Sequence, residues 1–110
     1  MYIGSHGYDH YWLNTLDPDE QRREIDLSIE FLLHVGARAD SWIMSYPYGA
    51  YDELMFPMLR ERGCRVGLST EVRIADLAHD HALALPRLDT NDLPKRATAA
   101  PSEWTRAVSR

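Results

Sequence analysis

Several features that would classify a chain quickly are missing from this 110-residue sequence. Cys64 is the only cysteine, so no intrachain disulfide can form, and a reducing compartment is indicated. No apolar run approaches the roughly 18 residues of a membrane span, and no basic-then-apolar leader is present. We therefore expect a cytoplasmic rather than a secreted protein, with a leader further upstream left open because the first residues resemble the interior of a fold.

Basic residues are also scarce. The chain has 12 Lys and Arg against 17 Asp and Glu, giving a formal net charge of -5, and no run is rich in Lys or Arg. Proteins that bind nucleic acids normally carry a basic patch, so the composition argues against that class. With 45% hydrophobic and 26% charged residues, the sequence is typical of one soluble globular domain or part of one.

Two histidines near the start, His6 and His10, are the most informative residues. Side chains four residues apart can reach one point if the chain between them makes one helical turn. Imidazole is the commonest metal ligand and suits zinc. The pair therefore predicts a metal site, with ordinary surface or core histidines as the alternative. Asp9 between them is a further candidate ligand, although loop acids are usually solvated.

The apolar pattern predicts alternating strands and helices. A helix is expected over residues 17–35, with Asp17 as its N-cap and Pro18 at its first position. We interpret its charged residues from 20 to 30 as a solvated face. A turn and then a short or kinked helix are expected around Pro57. Strands are predicted over residues 1–3, 41–46, 65–69 and 82–85.

This alternation is typical of an α/β protein with parallel strands and crossover helices. In such sheets, functional residues collect at the carboxyl ends of the strands. The histidine pair follows the first predicted strand, and polar or aromatic segments follow the other three. We expect these segments to meet at one edge of the sheet.

These motifs resemble the polysaccharide deacetylase (NodB-homology) family, the family-four carbohydrate esterases. Ser5-His6-Gly7-Tyr8-Asp9-His10 fits the family's His-x-x-x-His metal motif, and Tyr46-Pro47-Tyr48-Gly49-Ala50-Tyr51 fits its Pro-Tyr-Gly groove motif. Residues 1–94 are accordingly interpreted as the central and C-terminal part of a deacetylase domain. Residues 95–110 are predicted to be a weakly ordered tail, because the chain beyond Asn91 is a mix of Pro, Ala, Thr and Ser.

The resemblance implies a partial (β/α) barrel that binds a divalent metal, usually zinc, and removes N-acetyl groups from an amino sugar of a surface polysaccharide or its precursor. An N-acetylated carbohydrate is the expected partner, with no nucleic acid and no membrane span. By this resemblance His6 and His10 are metal ligands, and the Tyr48 backbone N–H helps to hold the oxyanion. Arg87 is a candidate catalytic cation, or else a sheet-end salt-bridging residue. The substrate groove is expected to be lined by Tyr46, Pro47, Tyr48 and Gly49.

The sequence also departs from the family pattern. The family's Thr-Phe-Asp-Asp motif, which supplies the base and the third metal ligand, has no counterpart before His6, and the late Leu-x-His motif has none either. We therefore expect an N-terminally truncated member with little hydrolysis of its own.

Two alternatives follow from these departures. The first is a non-catalytic fragment that binds carbohydrate or protein, associating as a homo-oligomer through exposed strand edges. The second, a structural zinc protein, is less favoured because such sites use four ligands. Tyr11 and Trp12 are interpreted either as a platform for a sugar or as packing residues.

Overall fold

A computed structural model describes residues 1–104 of the protein, and residues 105–110, part of the predicted tail, lie outside that description. Helices and strands alternate along the described chain, which confirms the predicted α/β class. The elements are α1 (Pro18–His34), β1 (Trp42–Ser45), α2 (Met55–Glu61) and β2 (Cys64–Leu68), with 3-10 turns at Leu13–Thr15, Pro47–Gly49 and Thr90–Asp92.

Helix α1 begins and ends where the sequence predicts. The carboxylate of Asp17 accepts a hydrogen bond from the Glu20 N–H at 2.8 Å, and Pro18 takes the first helical position, where no N–H partner is needed. Gly36, just beyond the helix, has a φ of 79°, a conformation that glycine adopts without steric cost. The apolar stripe of α1, including Ile25 and Leu32, is buried in the core.

The prediction that the charged residues of α1 form a solvated face is wrong for Glu24. Glu20 and Glu30 are exposed, but Glu24 is 2% exposed, and the neighbouring polar residue Gln21 is equally buried. The N-terminal segment crosses this side of the helix and covers both. Glu24 Oε1 accepts a hydrogen bond from the Asp9 N–H, and Gln21 Nε2 donates one to the Leu13 carbonyl, each at 2.9 Å.

The sheet has two regular strands and one further chain segment on either side. Strands β1 and β2 are parallel, with Ser45 opposite Leu68. Isolated parallel bridges join Ser5 to Met44 and Leu85 to Leu68. The order across the sheet is therefore Ser5, β1, β2, Leu85. We call residues 4–10 the Ser5 margin and residues 82–89 the Leu85 margin.

The strands predicted over residues 1–3 and 82–85 are wrong as regular strands, because each side of the sheet is reached by a single bridge. At the Leu85 margin the chain makes a turn, in which the Ala84 N–H donates to the His81 carbonyl, and only Leu85 is left in an extended pairing position. Residues 1–3 are exposed, and the pairing to β1 is made at Ser5, opposite Met44. Both segments keep the predicted parallel direction.

The core lies between α1, α2 and the sheet, and contains the buried side chains of Leu13, Ile25, Leu32, Trp42, Met44, Tyr46, Met55, Leu59 and Leu83. Pro57 is the third residue of α2, within the first turn, where its missing N–H removes no intrahelical bond. The predicted turn and short helix are thus confirmed. Cys64 opens β2 and is buried, as expected for a small apolar residue.

Within residues 1–104, no helix combines the length and the apolar character that crossing a membrane requires.

Candidate active site and metal centre

The carboxyl ends of the four parallel segments meet at one edge, as the sequence predicts. His6, following Ser5, contacts the carbonyl of Ser45 at the end of β1. The Tyr46 N–H donates to the Leu68 carbonyl at 3.2 Å, and Arg87 Nε donates to the Ser69 carbonyl at 2.9 Å. These hydrogen bonds join each segment to the next.

His6 and His10 lie side by side at this edge. Their ring centroids are 4.7 Å apart and the rings are inclined by 56°. His6 Nδ1 lies 2.6 Å from the Ser45 carbonyl oxygen, which can only accept, so Nδ1 carries the proton and Nε2 is left free to bind a ligand. A histidine that donates one ring N–H to a backbone carbonyl is the usual arrangement at metal sites.

The two histidines converge through an irregular loop and not through the helical turn that the spacing predicted. No helix is present between them, and two residues of the loop have a positive φ: Gly7 at 75° and His10 at 60°. A positive φ in a residue other than glycine costs on the order of 1–3 kcal/mol and is concentrated at functional sites.

The donor atoms present fit part of a zinc site. Two imidazoles with one ring oriented by a carbonyl match two ligand positions. Across residues 1–104 there is no group of three or more His, Cys, Asp or Glu side chains arranged to hold a metal. Asp9, the further candidate, is exposed and belongs to no such group.

The four predicted groove residues divide into a buried pair and a surface pair. Tyr46 is 1% exposed and Pro47 is also buried, and the Tyr46 hydroxyl donates to the Leu83 carbonyl. Burial raises the pKa of Tyr46. Because the side chains of Tyr46 and Pro47 are buried, they offer no surface to a substrate. They instead support the carboxyl edge of the sheet from the protein interior. Tyr48 and Gly49 remain at or near the surface.

Tyr48 joins the histidines to an exposed aromatic surface. It is 50% exposed, and its ring lies edge-on to His10 at 4.7 Å. Trp12, also 50% exposed, stacks on the Tyr48 ring, with centroids 4.3 Å apart and planes 7° apart. Tyr48 has a φ of 58°, and its backbone N–H makes no hydrogen bond within the described chain.

Arg87 lies at the same edge but at some remove from the histidines. With Thr70 and Asp89 it lines a cleft of about 230 Å³. In the part of the chain that the structure describes, no hydrogen bond or ion pair joins Arg87 to His6, His10 or a carboxylate. Its catalytic role stays a prediction.

Sequence reasoning missed Glu24 and Ser28 of α1, which contact the histidine loop. The Ser28 hydroxyl is hydrogen-bonded to the Ser5 hydroxyl, and Glu24 accepts from the Asp9 N–H. A signal was available, because Gln21, Glu24 and Ser28 recur at the same three- to four-residue spacing as the buried apolar residues of α1.

The fold matches that of a known deacetylase. A search of solved structures found the Streptococcus pyogenes deacetylase PplD in complex with acetate, with a TM-score of 0.69 and 24% sequence identity. The match covers 77% of this chain and 37% of that protein, so the chain spans little more than a third of its length. At this level of identity the likeness establishes the fold, a mixed helix and parallel-strand arrangement corresponding to part of the deacetylase barrel.

The sequence itself matches a family model. A search among curated proteins found no match. The model described as polysaccharide deacetylase matches residues 1–67, which include both histidines, α1, β1 and the Tyr-Pro-Tyr-Gly segment. Since this is more than half of the sequence, the chain belongs to the polysaccharide deacetylase family.

Proposed function

We propose that this chain supplies metal and substrate contacts of a zinc-dependent deacetylase that removes N-acetyl groups from an amino sugar of a surface polysaccharide or its precursor. The observation that carries the proposal is the convergence of His6 and His10 at the carboxyl edge of the sheet, 4.7 Å apart between ring centroids. The Ser45 carbonyl, which fixes the tautomer of His6, adds the second contact that a metal-binding histidine needs.

The residues at this edge have distinct roles under the proposal. His6 and His10 would hold zinc, which would supply polarisation of an amide carbonyl and a water of lowered pKa. The backbone N–H of Tyr48, free of other partners in the described chain, donates a hydrogen bond to the oxygen on which negative charge develops.

The stacked rings of Trp12 and Tyr48 form an aromatic surface against which the substrate can pack. Both rings are half exposed and stack almost parallel to each other. Aromatic rings bury large apolar areas, and the C–H face of a sugar ring is apolar enough to pack on them. The contact between Tyr48 and His10 makes this surface continuous with the histidine pair, so a sugar stacked there places its substituents beside the metal ligands.

Zinc affinity is the first test. We expect the purified chain to bind zinc by isothermal titration calorimetry, and the double variant His6→Ala, His10→Ala to lose that binding. The double variant His34→Ala, His79→Ala is the matched control, because it also removes two histidines, both exposed and neither bonded to His6 or His10 in the described chain. Equal zinc affinity in the wild type and in the His6, His10 variant would overturn the proposal.

A second candidate function is non-catalytic carbohydrate binding. It is favoured by the lack of a third metal ligand grouped with the histidines in residues 1–104, together with the exposed Trp12 and Tyr48 rings. An N-acetylated amino-sugar oligosaccharide distinguishes the two functions. Release of acetate that depends on zinc, His6 and His10 supports the deacetylase. Binding lost in Trp12→Ala, with no acetate released even after an Asp-Asp segment is added upstream, supports the binding module.

A further inference from the structure

Helix α1 holds the histidine loop at two points, one immediately before each histidine. Before His6, the Ser5 hydroxyl is hydrogen-bonded to the Ser28 hydroxyl. Before His10, the Asp9 N–H donates to Glu24 Oε1 at 2.9 Å. Glu24 and Ser28 are four residues apart on α1, so they share one face of the helix and present both anchors to the loop.

The second anchor is a buried carboxyl group. Glu24 is 2% exposed, and the position of a Cβ atom added to Gly7 would lie 3.9 Å from Oε1, so the loop passes directly over it. The other oxygen, Oε2, has no hydrogen-bond partner within residues 1–104. Burying a carboxyl group with an unpartnered oxygen is costly, and an apolar side chain would pack this face of α1 at lower cost.

We propose that Glu24 is a positioning residue for the metal site, which holds the Asp9 N–H and thereby sets the place of His10 relative to His6. The inference rests on the proposed function, since it concerns the same two histidines. His10 has a positive φ, which the loop keeps only if its neighbours fix it. The Glu24 anchor, bonded to the residue that precedes His10, is placed to do so.

Three variants test the role of Glu24. Glu24→Leu removes the acceptor and keeps most of the volume, whereas Glu24→Gln keeps a side-chain oxygen that can accept from Asp9. Gln21→Leu is the matched control, because Gln21 is buried to the same extent on the same helix but bonds to Leu13 and not to the loop.

Two measurements are made on each variant. We expect Glu24→Leu to weaken zinc binding roughly 10- to 100-fold, as losses of outer-shell partners do, with Glu24→Gln and Gln21→Leu near the wild type. In the metal-free protein, amide exchange of Asp9 should be about tenfold faster in Glu24→Leu only. If circular dichroism shows Glu24→Leu unfolded, Glu24→Ala replaces it in both measurements.

The outcomes separate this inference from the proposed function. Zinc binding that depends on the histidines but is equally affected by Glu24→Leu and Gln21→Leu overturns the positioning role and leaves the metal site standing. If the wild type binds no zinc, the proposed function fails. The exchange rate of the Asp9 amide then decides whether Glu24 anchors the histidine loop. Faster exchange only in Glu24→Leu then supports Glu24 as the anchor of the loop, and unchanged exchange overturns it.

Discussion

At the Ser5 margin and at the Leu85 margin, the chain joins the sheet through one parallel bridge each. The side chains that hold the two margins differ. Ser28 of α1 bonds to Ser5 at the bridge itself, and Glu24 bonds to Asp9 beyond the bridge, so the two contacts lie on either side of His6. The Leu85 margin is held from within the sheet, where the Tyr46 hydroxyl donates to the Leu83 carbonyl and the Ser69 hydroxyl donates to the Leu85 carbonyl.

The difference shows what a single bridge can and cannot do. Backbone pairing brings both segments to the same edge, but past the bridge the Ser5 margin is held by a buried side chain of α1, in the loop that carries the histidines. At the Leu85 margin the buried side-chain anchors stop at Leu85, and the exposed Arg87 two residues later donates to two backbone carbonyls, from Nε to Ser69 and from its N–H to Glu71. A buried side-chain anchor beyond the bridge therefore distinguishes the histidine loop from the cleft beside the exposed Arg87.

The largest predicted effect comes from adding a methyl group where the margins approach the sheet. A Cβ on Gly67 would collide with the Leu83 carbonyl and crowd the Tyr46 hydroxyl, deep in the sheet. We expect Gly67→Ala to lower the free energy of unfolding by about 3 kcal/mol. A Cβ on Gly4 would lie 2.6 Å from the Ile43 carbonyl, but Gly4 is exposed and can shift outward, so about 1 kcal/mol is expected for Gly4→Ala.

Urea unfolding of both glycine variants measures this difference. A Gly4→Ala variant that is less stable than Gly67→Ala would mean that the Ser5 margin, and not the Leu85 margin, is the more tightly fitted of the two.

A smaller effect is expected for Tyr46→Phe. The change leaves the buried Leu83 carbonyl without its side-chain donor, which should cost about 1–2 kcal/mol of unfolding free energy. Because this bond holds the Leu85 margin, zinc affinity at the Ser5 margin should not change. Thermal or urea unfolding together with calorimetry tests both points. Tyr48→Phe is the control for stability, since its ring is half exposed. Weaker zinc binding in Tyr46→Phe would show that the margins are coupled.

The smallest effect is expected in the loop that precedes the Leu85 margin, where the free energy of unfolding should depend on pH in the acid range. Hydrogen bonds from Arg73 lower the pKa of Asp80 from 3.8 to about 2. Since the folded pKa is the lower one, the stabilisation is complete above pH 3.8 and is lost as the pH falls towards 2. Asp80→Asn should therefore flatten the pH dependence of unfolding in this window. Unfolding free energies of both proteins between pH 5 and pH 2 provide the test, and parallel curves would contradict the assignment.

The sequence predicts the elements whose signals are local. Asp17, Pro18 and the apolar stripe mark α1, and the carboxyl-edge rule places the histidines beside the Tyr-Pro-Tyr-Gly segment. Strand length at the margins depends on pairing with distant residues, because Leu85 bridges to Leu68 while the residues of the preceding turn, 81–84, stay outside the ladder.

The anchors of the site are equally non-local. A glutamate in a helix is usually solvated, and Glu24 is buried only because a loop from 15 residues earlier crosses it. Likewise, nothing in His-x-x-x-His indicates that His10 has a positive φ or that its ring meets Tyr48.

The rate at which the Cys64 thiol is chemically modified can report opening of the sheet. Cys64 is the only cysteine in the sequence, it lies buried at the first position of β2, and burial raises the pKa of its thiol to about 11. The native thiol is therefore shielded and almost entirely protonated at neutral pH, whereas the same group in an opened chain reacts with an alkylating reagent. The rate of modification of this single sulfur reports how often β2 is exposed, with no need for an engineered label.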